Sequence, residues 1–272
     1  MIYSAAGARR VAFDVDGRQL AALHAGDGPA VLLVPGFTGS KEDFAPILAP
    51  LADAGFAVTA IDQPGQFESP GPPDRAEYTP DRLARAVLAV TAALPGPVRL
   101  LGHSFGGLVA RAAVIASASS FDSLVLLSSG PADLGGARRV RMSELEPVLA
   151  TGGLSGVYAA MQAAAAEEPG FAPPPPEVER FLERRFLHGS PQMLQGMADA
   201  LRAEPDRVEE LAATGVRTLV VHGVDDDAWP PADQQDMARR LGARYEVVSD
   251  AAHSAAEENP ADLVAVLVDF WR

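Results

Sequence analysis

Short apolar runs alternate with longer amphipathic segments along most of this chain, and that alternation limits its fold more than any other feature. Ala30–Val34, for example, is an uninterrupted apolar run that ends at Pro35-Gly36, whereas the apolar residues between Phe44 and Leu51 recur at the spacing of one helix face. A strand buried on both faces is apolar throughout, and a helix that crosses over a sheet repeats its apolar residues every three or four positions. The sequence therefore predicts an α/β fold with a mostly parallel sheet of about eight strands.

The elements can be placed along the chain from these patterns. The expected strands are Val11–Val15, Gln19–His24, Ala30–Val34, Phe56–Ile61, Pro97–Leu101, Leu124–Leu127, Val216–Val221 and Ala243–Val248. Helices are expected from Phe44 to Leu51, from Pro80 to Val90, and over Phe105–Ala118, Ala232–Leu241 and Asp262–Phe270. Asp16-Gly17 is a turn dipeptide, so the first two strands should form a β-hairpin.

The alternation stops after the sixth strand. Between Pro131 and about Thr214 no convincing strand is present, and helical patches are broken by Gly152-Gly153 and by Pro173–Pro176. We interpret the proline stretch as a hinge or stiff connector. The predicted organisation is one α/β domain, formed by residues 1–130 and 215–272, with a helical insertion over residues 131–214.

Composition excludes several classes of function. The chain has 22 Lys and Arg against 36 Asp and Glu, a net charge of −14, which disfavours binding to nucleic acid or to anionic lipid. It contains no cysteine, so disulfides, thiolate metal sites and cysteine nucleophiles are ruled out. No apolar stretch is long enough to span a bilayer and no signal peptide is visible, so we expect a cytoplasmic protein. The sequence does not predict an oligomeric state.

One motif has the context that nucleophilic catalysis requires. Gly102-His103-Ser104-Phe105-Gly106 is a G-x-S-x-G sequence between a predicted strand and a predicted helix. A tight turn there would lift the Ser104 hydroxyl above the sheet edge, near the positive end of the helix. The alternative is a glycine-rich turn with a capping serine; the context favours a nucleophile.

A serine nucleophile needs a base, and the chain has five histidines. His253 follows the last predicted strand in a loop of small residues, from which an imidazole can reach over the sheet edge, so we predict that it is the base. His24 lies in the hairpin and His188 in the insertion, and His222 is expected to be a buried packing residue. His103 is expected to be structural, with its side chain directed away.

The base in turn needs an orienting carboxylate. Three aspartates, Asp225, Asp226 and Asp227, follow the penultimate strand. They cannot all face His253, and at least one must belong to a solvated acidic turn. On its own the run leaves the acid open between Asp225 and Asp226.

Taken together, these motifs resemble the α/β-hydrolase superfamily over nearly the whole chain apart from the insertion. The order serine, aspartate, histidine is that of the family. Further similar segments are Val34-Pro35-Gly36-Phe37, Asp62-Gln63-Pro64-Gly65, Gly223-Val224-Asp225-Asp226 with Pro230, and His253-Ser254 with Glu258-Asn259-Pro260. The resemblance implies an α/β-hydrolase fold with a helical cap inserted after the sixth strand, and it places the acid at Asp226. Asp133, at a position that some relatives use, is a further candidate.

The resemblance also implies an oxyanion hole formed by the backbone N–H groups of Phe37 and Phe105. The sequence departs from the family pattern at two places. Pro35 stands where the family commonly has histidine, so the contacts that shape this loop must differ here. Phe67 and Glu68 stand where the family often has glycine and arginine, which leaves a bulkier loop before Ser69.

The insertion contains a set of large apolar residues that either form its own small core or line an adaptable pocket wall. They are Met142, Met161, Met193, Met197, Tyr158, Phe171, Phe181 and Phe186. Its arginine cluster, Arg138, Arg139 and Arg141, is expected to be a solvated face, with recognition of a charged substrate group as the alternative.

We therefore expect a serine hydrolase that cleaves a carboxylic ester, thioester or lactone of a small apolar molecule through an acyl-enzyme. Ser104, Asp226 and His253 would be the catalytic residues, and no metal or organic cofactor is needed. A C–C bond hydrolase or an acyltransferase is the alternative within this chemistry. A ligand receptor on the same fold, without turnover, is the alternative outside it.

Overall fold

The computed structural model describes residue 5 and residues 7–167 and 171–272, and its centre is an eight-stranded sheet. The strands are β1 (Arg9–Val15), β2 (Arg18–Ala25), β3 (Ala30–Val34), β4 (Ala57–Ile61), β5 (Val98–His103), β6 (Phe121–Leu127), β7 (Arg217–Gly223) and β8 (Arg244–Val248). All eight expected strands are thus present, with ends shifted by a few residues.

The sheet has the order β1-β2-β4-β3-β5-β6-β7-β8. β1 pairs with β2, and β2 with β4, in antiparallel fashion, whereas the pairs from β4 to β8 are parallel. Asp16 and Gly17 both have positive φ (52° and 77°), as a tight hairpin between β1 and β2 requires. The mostly parallel sheet of the predicted fold is confirmed.

Helices connect the strands. They are α1 (Ala45–Asp53), α2 (Pro80–Ala92), α3 (Phe105–Ala116), α4 (Gly136–Ala166), α5 (Pro176–Leu187), α6 (Pro191–Ala203), α7 (Val208–Ala212), α8 (Pro231–Leu241), α9 (Ala255–Glu258) and α10 (Pro260–Trp271). Short 3₁₀ turns cover Lys41–Phe44, Arg75–Tyr78 and Ala118–Ser120. The short helix α9, which begins just after His253, was not expected from the sequence.

The sheet is covered on both faces. In β3 every residue is buried, and successive side chains belong to different apolar clusters: Leu32 and Val34 pack with α2 and α3, and Val31 and Leu33 pack with α1 and α10. This arrangement explains why β3 is an uninterrupted apolar run. It also leaves the carboxyl ends of the parallel strands as the open edge of the sheet, where ligands bind in such folds.

The segment between β6 and β7 contains α4 to α7 and, in its described part, no strand. α4 is broken at Gly153, whose φ of 61° and ψ of −161° are not helical, as the Gly152-Gly153 pair indicated. Leu149, Val157, Phe186 and Leu194 form a small apolar cluster of their own. Pro173 to Pro175 lie outside regular secondary structure, and Pro176 is the first residue of α5. Within the described residues, no helix is both long enough and apolar enough to cross a membrane.

Candidate active site

Ser104 lies in the sharp turn between β5 and α3. Its φ of 55° and ψ of −122° are rarely adopted by a residue with a side chain, so the turn is strained. The turn also depends on its glycines: a Cβ on Gly102 would overlap with the backbone of Gly106, and a Cβ on Gly106 with the carbonyl oxygen of Val34. Small residues are therefore required on both sides of the serine.

The structure brings His253 to Ser104. The His253 Nε2 atom lies 3.0 Å from the Ser104 Oγ atom, at the carboxyl edge of the sheet. The loop that carries His253 is held by Glu258, whose carboxylate accepts hydrogen bonds from the N–H groups of Ala252 (2.7 Å) and Ser254 (3.2 Å). Glu258 thus helps to hold the His253 loop in place, in addition to Asp226 and Ser104, which contact the imidazole ring directly.

Asp226 lies on the other side of the imidazole. Its Oδ1 atom is 2.8 Å from His253 Nδ1 and accepts a hydrogen bond from the Ala228 N–H (3.0 Å). Its Oδ2 atom accepts from the Gln234 side-chain amide (2.9 Å), which also donates to the Trp229 carbonyl. Burial alone would raise the pKa of Asp226, but the hydrogen bonds and the nearby His253 outweigh it and hold the pKa at about 2. The carboxylate therefore stays ionised, which favours the proton on Nδ1 and leaves Nε2 free to face Ser104.

The other candidate acids do not face His253. Asp225 is exposed. Asp227 forms an ion pair with Arg138, and Asp133 lies 2.7 Å from Arg139. Of the aspartates that the sequence left open, only Asp226 hydrogen-bonds to His253 in the described part of the chain.

The remaining histidines lie outside this chain of hydrogen bonds, but His103 is closer than expected. The prediction that its side chain points away is wrong, because the loop after β8 folds back over the end of β5. Burial lowers the pKa of His103 to about 3, so its ring is neutral, and Nε2–H donates to the His253 carbonyl oxygen (2.8 Å). His222 is buried, as expected, and contacts the Tyr245 hydroxyl (2.8 Å). His24 lies against Thr59.

The two backbone N–H groups expected to form an oxyanion hole belong to residues that directly follow Ser104 and its neighbour Gly36. Phe105 is the first residue of α3, and its N–H belongs to the unpaired first turn of that helix. Gly36 packs against Ser104 so closely that a Cβ there would lie 3.0 Å from the Ser104 Cβ, and Phe37 follows directly. Within the described residues, neither the Phe37 nor the Phe105 N–H donates a hydrogen bond. Both N–H groups are thus without a hydrogen-bond partner of their own in this part of the chain.

A cavity of about 850 Å³ opens above Ser104 and His253. Its wall is largely apolar and comes mostly from the segment between β6 and β7, notably from Met142, Leu145, Leu149, Val157, Met161 and Leu194. Trp229, three residues after Asp226, also lines it. The cavity is large enough for a small organic molecule or an acyl chain.

The large apolar residues of the insertion fall into three groups. Met142 and Met161 line the cavity, Phe186 and Tyr158 belong to the insertion's own apolar cluster, and Met193 and Met197 are buried in the main core of the sheet domain, which was not expected. Tyr158 packs on Phe186 and Phe181 packs on Phe67, while Phe171 is exposed.

The arginine cluster of the insertion is only partly solvated. Arg138 and Arg141 line the cavity and pair with Asp227, while Arg139 pairs with Asp133. The two carboxylates offset part of the positive charge of these three arginines.

Sequence reasoning missed a buried charged group beneath the loop that carries Phe37. The Lys41 ammonium is fully buried and lies 2.8 Å from Asp62, 3.0 Å from Glu42 and 2.8 Å from Glu68. Burial raises the pKa of Asp62 to about 6, because its effect is larger than the opposite effect of the Lys41 charge. Lys41 is the only lysine of the chain, a signal that its position is unusual but not what it contacts.

Comparison with known proteins identifies the family. Residues 31–266 match the sequence profile of the alpha/beta hydrolase family, and this match runs from β3 to β8 and includes the insertion and every residue of the candidate site. The chain belongs to the alpha/beta hydrolase family. This hydrolase is therefore an enzyme, as the order of its motifs predicted.

Individual relatives are more distant. The hydrolase is 26% identical over 259 residues to a pimeloyl-[acyl-carrier protein] methyl ester esterase of Neisseria meningitidis, covering 88% of this chain and 92% of that protein. It is 38% identical over 104 residues to a protein of Variovorax paradoxus named as a carbamate hydrolase, but that match covers only 39% of the relative. Among solved structures, a carboxylesterase of Nitrososphaera gargenis superposes with a TM-score of 0.81 at 18% identity, over 97% of both chains. That last likeness supports the fold.

Proposed function

We propose that this hydrolase cleaves a carboxylic ester, thioester or lactone of a small apolar molecule through an acyl-enzyme. Ser104 Oγ attacks the carbonyl carbon while His253 Nε2 takes its proton, and Asp226 stabilises the imidazolium that forms. The Phe37 and Phe105 N–H groups bind the oxyanion of the tetrahedral intermediate. His253 then returns the proton to the leaving group, and a water molecule, activated by the same imidazole, hydrolyses the acyl-enzyme.

The observation that carries the proposal is the continuous hydrogen-bonded chain from Ser104 through His253 to a buried, ionised Asp226. It lies at the base of a cavity, and two unengaged N–H groups adjoin the serine. A serine used only as a helix cap would need neither the imidazole nor the carboxylate. The reaction requires no metal or organic cofactor, and the residues above supply each proton transfer.

We further propose that residues 131–214 act as a cap that selects the substrate. They supply most of the apolar wall, so the group held there is an apolar acyl or alkyl chain. α7, the last helix of this range, packs against α3 and α8, which ties the end of the cap to the sheet domain. The substrate is a small molecule; a cytoplasmic location remains a prediction from the sequence.

The names of the relatives agree with acyl chemistry, since the relative from Neisseria meningitidis is named for a methyl ester. A C–C bond hydrolase or an acyltransferase uses the same residues and differs in the bond cleaved or in the acceptor. A receptor without turnover would keep the cavity but release no product. Turnover of a simple activated ester separates the receptor from the enzymes.

The test combines labelling with turnover. A fluorophosphonate should modify Ser104 alone, seen as a single adduct by intact-mass and peptide mass spectrometry. Ser104→Ala should lower kcat on an activated ester by roughly 10⁴–10⁶. An adduct on another residue, or activity of Ser104→Ala within about tenfold of wild type, would overturn the mechanism.

A further inference from the structure

Two buried glutamine side chains contact the backbone just before Phe37. Gln66 Nε2 donates to the Gly36 carbonyl oxygen at 2.7 Å, and Gln63 Nε2 donates to the Pro35 carbonyl oxygen at 2.8 Å. Each glutamine is only 1% exposed. Both lie in the loop after β4, which packs against the loop that carries Phe37.

The two contacts act on different peptide groups. The Gly36 carbonyl and the Phe37 N–H belong to one planar peptide unit, in which the C=O and N–H bonds point in opposite directions. A hydrogen bond that fixes the Gly36 oxygen therefore also fixes the direction of the Phe37 N–H. The Gln63 bond instead fixes the peptide that ends in the Gly36 N–H, which has no part in the proposed mechanism.

We propose that Gln66 is a positioning residue for the oxyanion hole, an inference that rests on the proposed function. Gln66 aims the Phe37 N–H at the developing oxyanion and strengthens it as a donor, because a hydrogen bond to the carbonyl end of a peptide polarises the N–H at the other end. The Gly36 oxygen accepts one further bond, at 3.2 Å from the Gly39 N–H across the turn. The bond from Gly39 closes the turn. The shorter bond from Gln66 is a second constraint on the same Gly36 oxygen.

The orientation of the Gln66 amide follows from its neighbours. Its Oε1 atom accepts the Gln63 N–H at 3.0 Å, so the amide nitrogen must be the atom that faces the Gly36 oxygen. The backbone around it is closed by bonds from Gln66 N–H to the Gln63 oxygen (2.9 Å) and from Ser69 N–H to the Gln66 oxygen (2.8 Å). Gln66 is therefore held at both its backbone and its side chain. Proline at position 35 has no side-chain donor, so this loop depends on donors from outside it.

The experiment compares Gln66→Met with Gln63→Met, two length-matched substitutions with the same burial in the same loop. Gln66→Met should lower kcat on an activated ester by about 10- to 100-fold, with KM changed by no more than about threefold, because the missing contact acts on the transition state. Inactivation by a fluorophosphonate should slow by a similar factor, since its phosphoryl oxygen must enter the same hole. Gln63→Met should lower the melting temperature comparably but keep kcat within about threefold of wild type.

A second variant covers the case in which Gln66→Met does not fold. Gln66→Asn keeps an amide but is one methylene too short to bridge the Gln63 N–H and the Gly36 oxygen. Its kcat should therefore also fall, while its KM stays unchanged. Wild-type kcat in a folded Gln66 variant, or an equal loss of kcat in Gln63→Met, overturns the inference. If Ser104→Ala is inactive while Gln66→Met is fully active, only this inference fails; if Ser104→Ala stays active, the proposed function itself fails.

Discussion

Asp226→Asn is the substitution whose effect the structure specifies most fully, because every neighbour of this carboxylate is a hydrogen-bond donor. Oδ1 faces His253 Nδ1 and the Ala228 N–H, and Oδ2 faces the Gln234 amide nitrogen. An asparagine must turn its NH₂ group towards one of these donors. Turned towards His253, it forces the ring proton onto Nε2, where the imidazole can no longer accept the Ser104 proton.

Two magnitudes follow for this variant. Loss of the correct tautomer should lower kcat by about 10⁴. The pKa of Asp226, held at about 2 against an ordinary 3.8, contributes about 2 kcal/mol to the free energy of unfolding. Because this pKa is lower in the folded state, the contribution is present above about pH 4 and is lost as the pH falls towards 2. Asp226→Asn should lack it at neutral pH, and its stability should change less than that of wild type across this acid range.

The assay is kcat on a chromogenic ester, with unfolding followed in urea. Asp225→Asn, in the same loop but exposed, and Asp133→Asn are the matched controls and should stay within a few-fold of wild type. Adding Gln234→Leu to Asp226→Asn removes one opposing donor, lets the amide oxygen face His253, and should restore part of kcat. Near-normal activity of Asp226→Asn, or a comparable loss in either control, would refute this assignment of the acid.

Two further predictions concern the cavity and the buried lysine. Across esters from acetate upwards, kcat/KM should rise by about fourfold per added CH₂ until the apolar cavity is full, and a flat series from two to about eight carbons would contradict an apolar acyl site. Lys41→Met should lower the free energy of unfolding by about 3–5 kcal/mol near neutral pH, because it leaves buried carboxylates without their cation. Since the pKa of Asp62 is already about 6, this loss should shrink as the pH falls towards about 5, and urea titrations giving equal losses at both pH values would contradict it.

Much of the fold was predictable because burial on both faces leaves a direct trace in sequence. β3 and β7 lie inside the sheet and read as apolar runs, so their positions were found within a few residues. Helix α9 was missed because its four residues are too few to show a helical period. Its position depends on the loop after β8, which is held by Glu258 and not by an apolar pattern.

The candidate site was predictable to the extent that its parts follow strand ends. Ser104, Asp226 and His253 each lie just after a parallel strand, and strand ends at one edge of a sheet must be neighbours in space. Gln66 and Gln234 could not be found in this way. Gln66 lies in a loop, which has no periodicity, and its partner Gly36 is 30 residues away. Gln234 lies in α8, and its contact with Asp226 depends on how that helix packs against the loop after β7.

The pairing of β3 with β4 explains why such residues control the proposed oxyanion hole. The two strands are parallel neighbours, so the loops that follow them leave the same edge side by side. The loop after β4 holds the loop after β3 at three places: Asp62 accepts the Lys41 N–H at 2.8 Å, Gln66 donates to the Gly36 oxygen, and Gln63 donates to the Pro35 oxygen. The Asp62 carboxylate, which also pairs with the Lys41 ammonium, fixes one end of the β3 loop, and the Gln66 amide fixes the peptide of Phe37. A substitution in the β4 loop that removes the Gln66 contact should therefore change the turnover rate without touching the substrate, while substitutions in the cavity wall should chiefly change which substrate is bound.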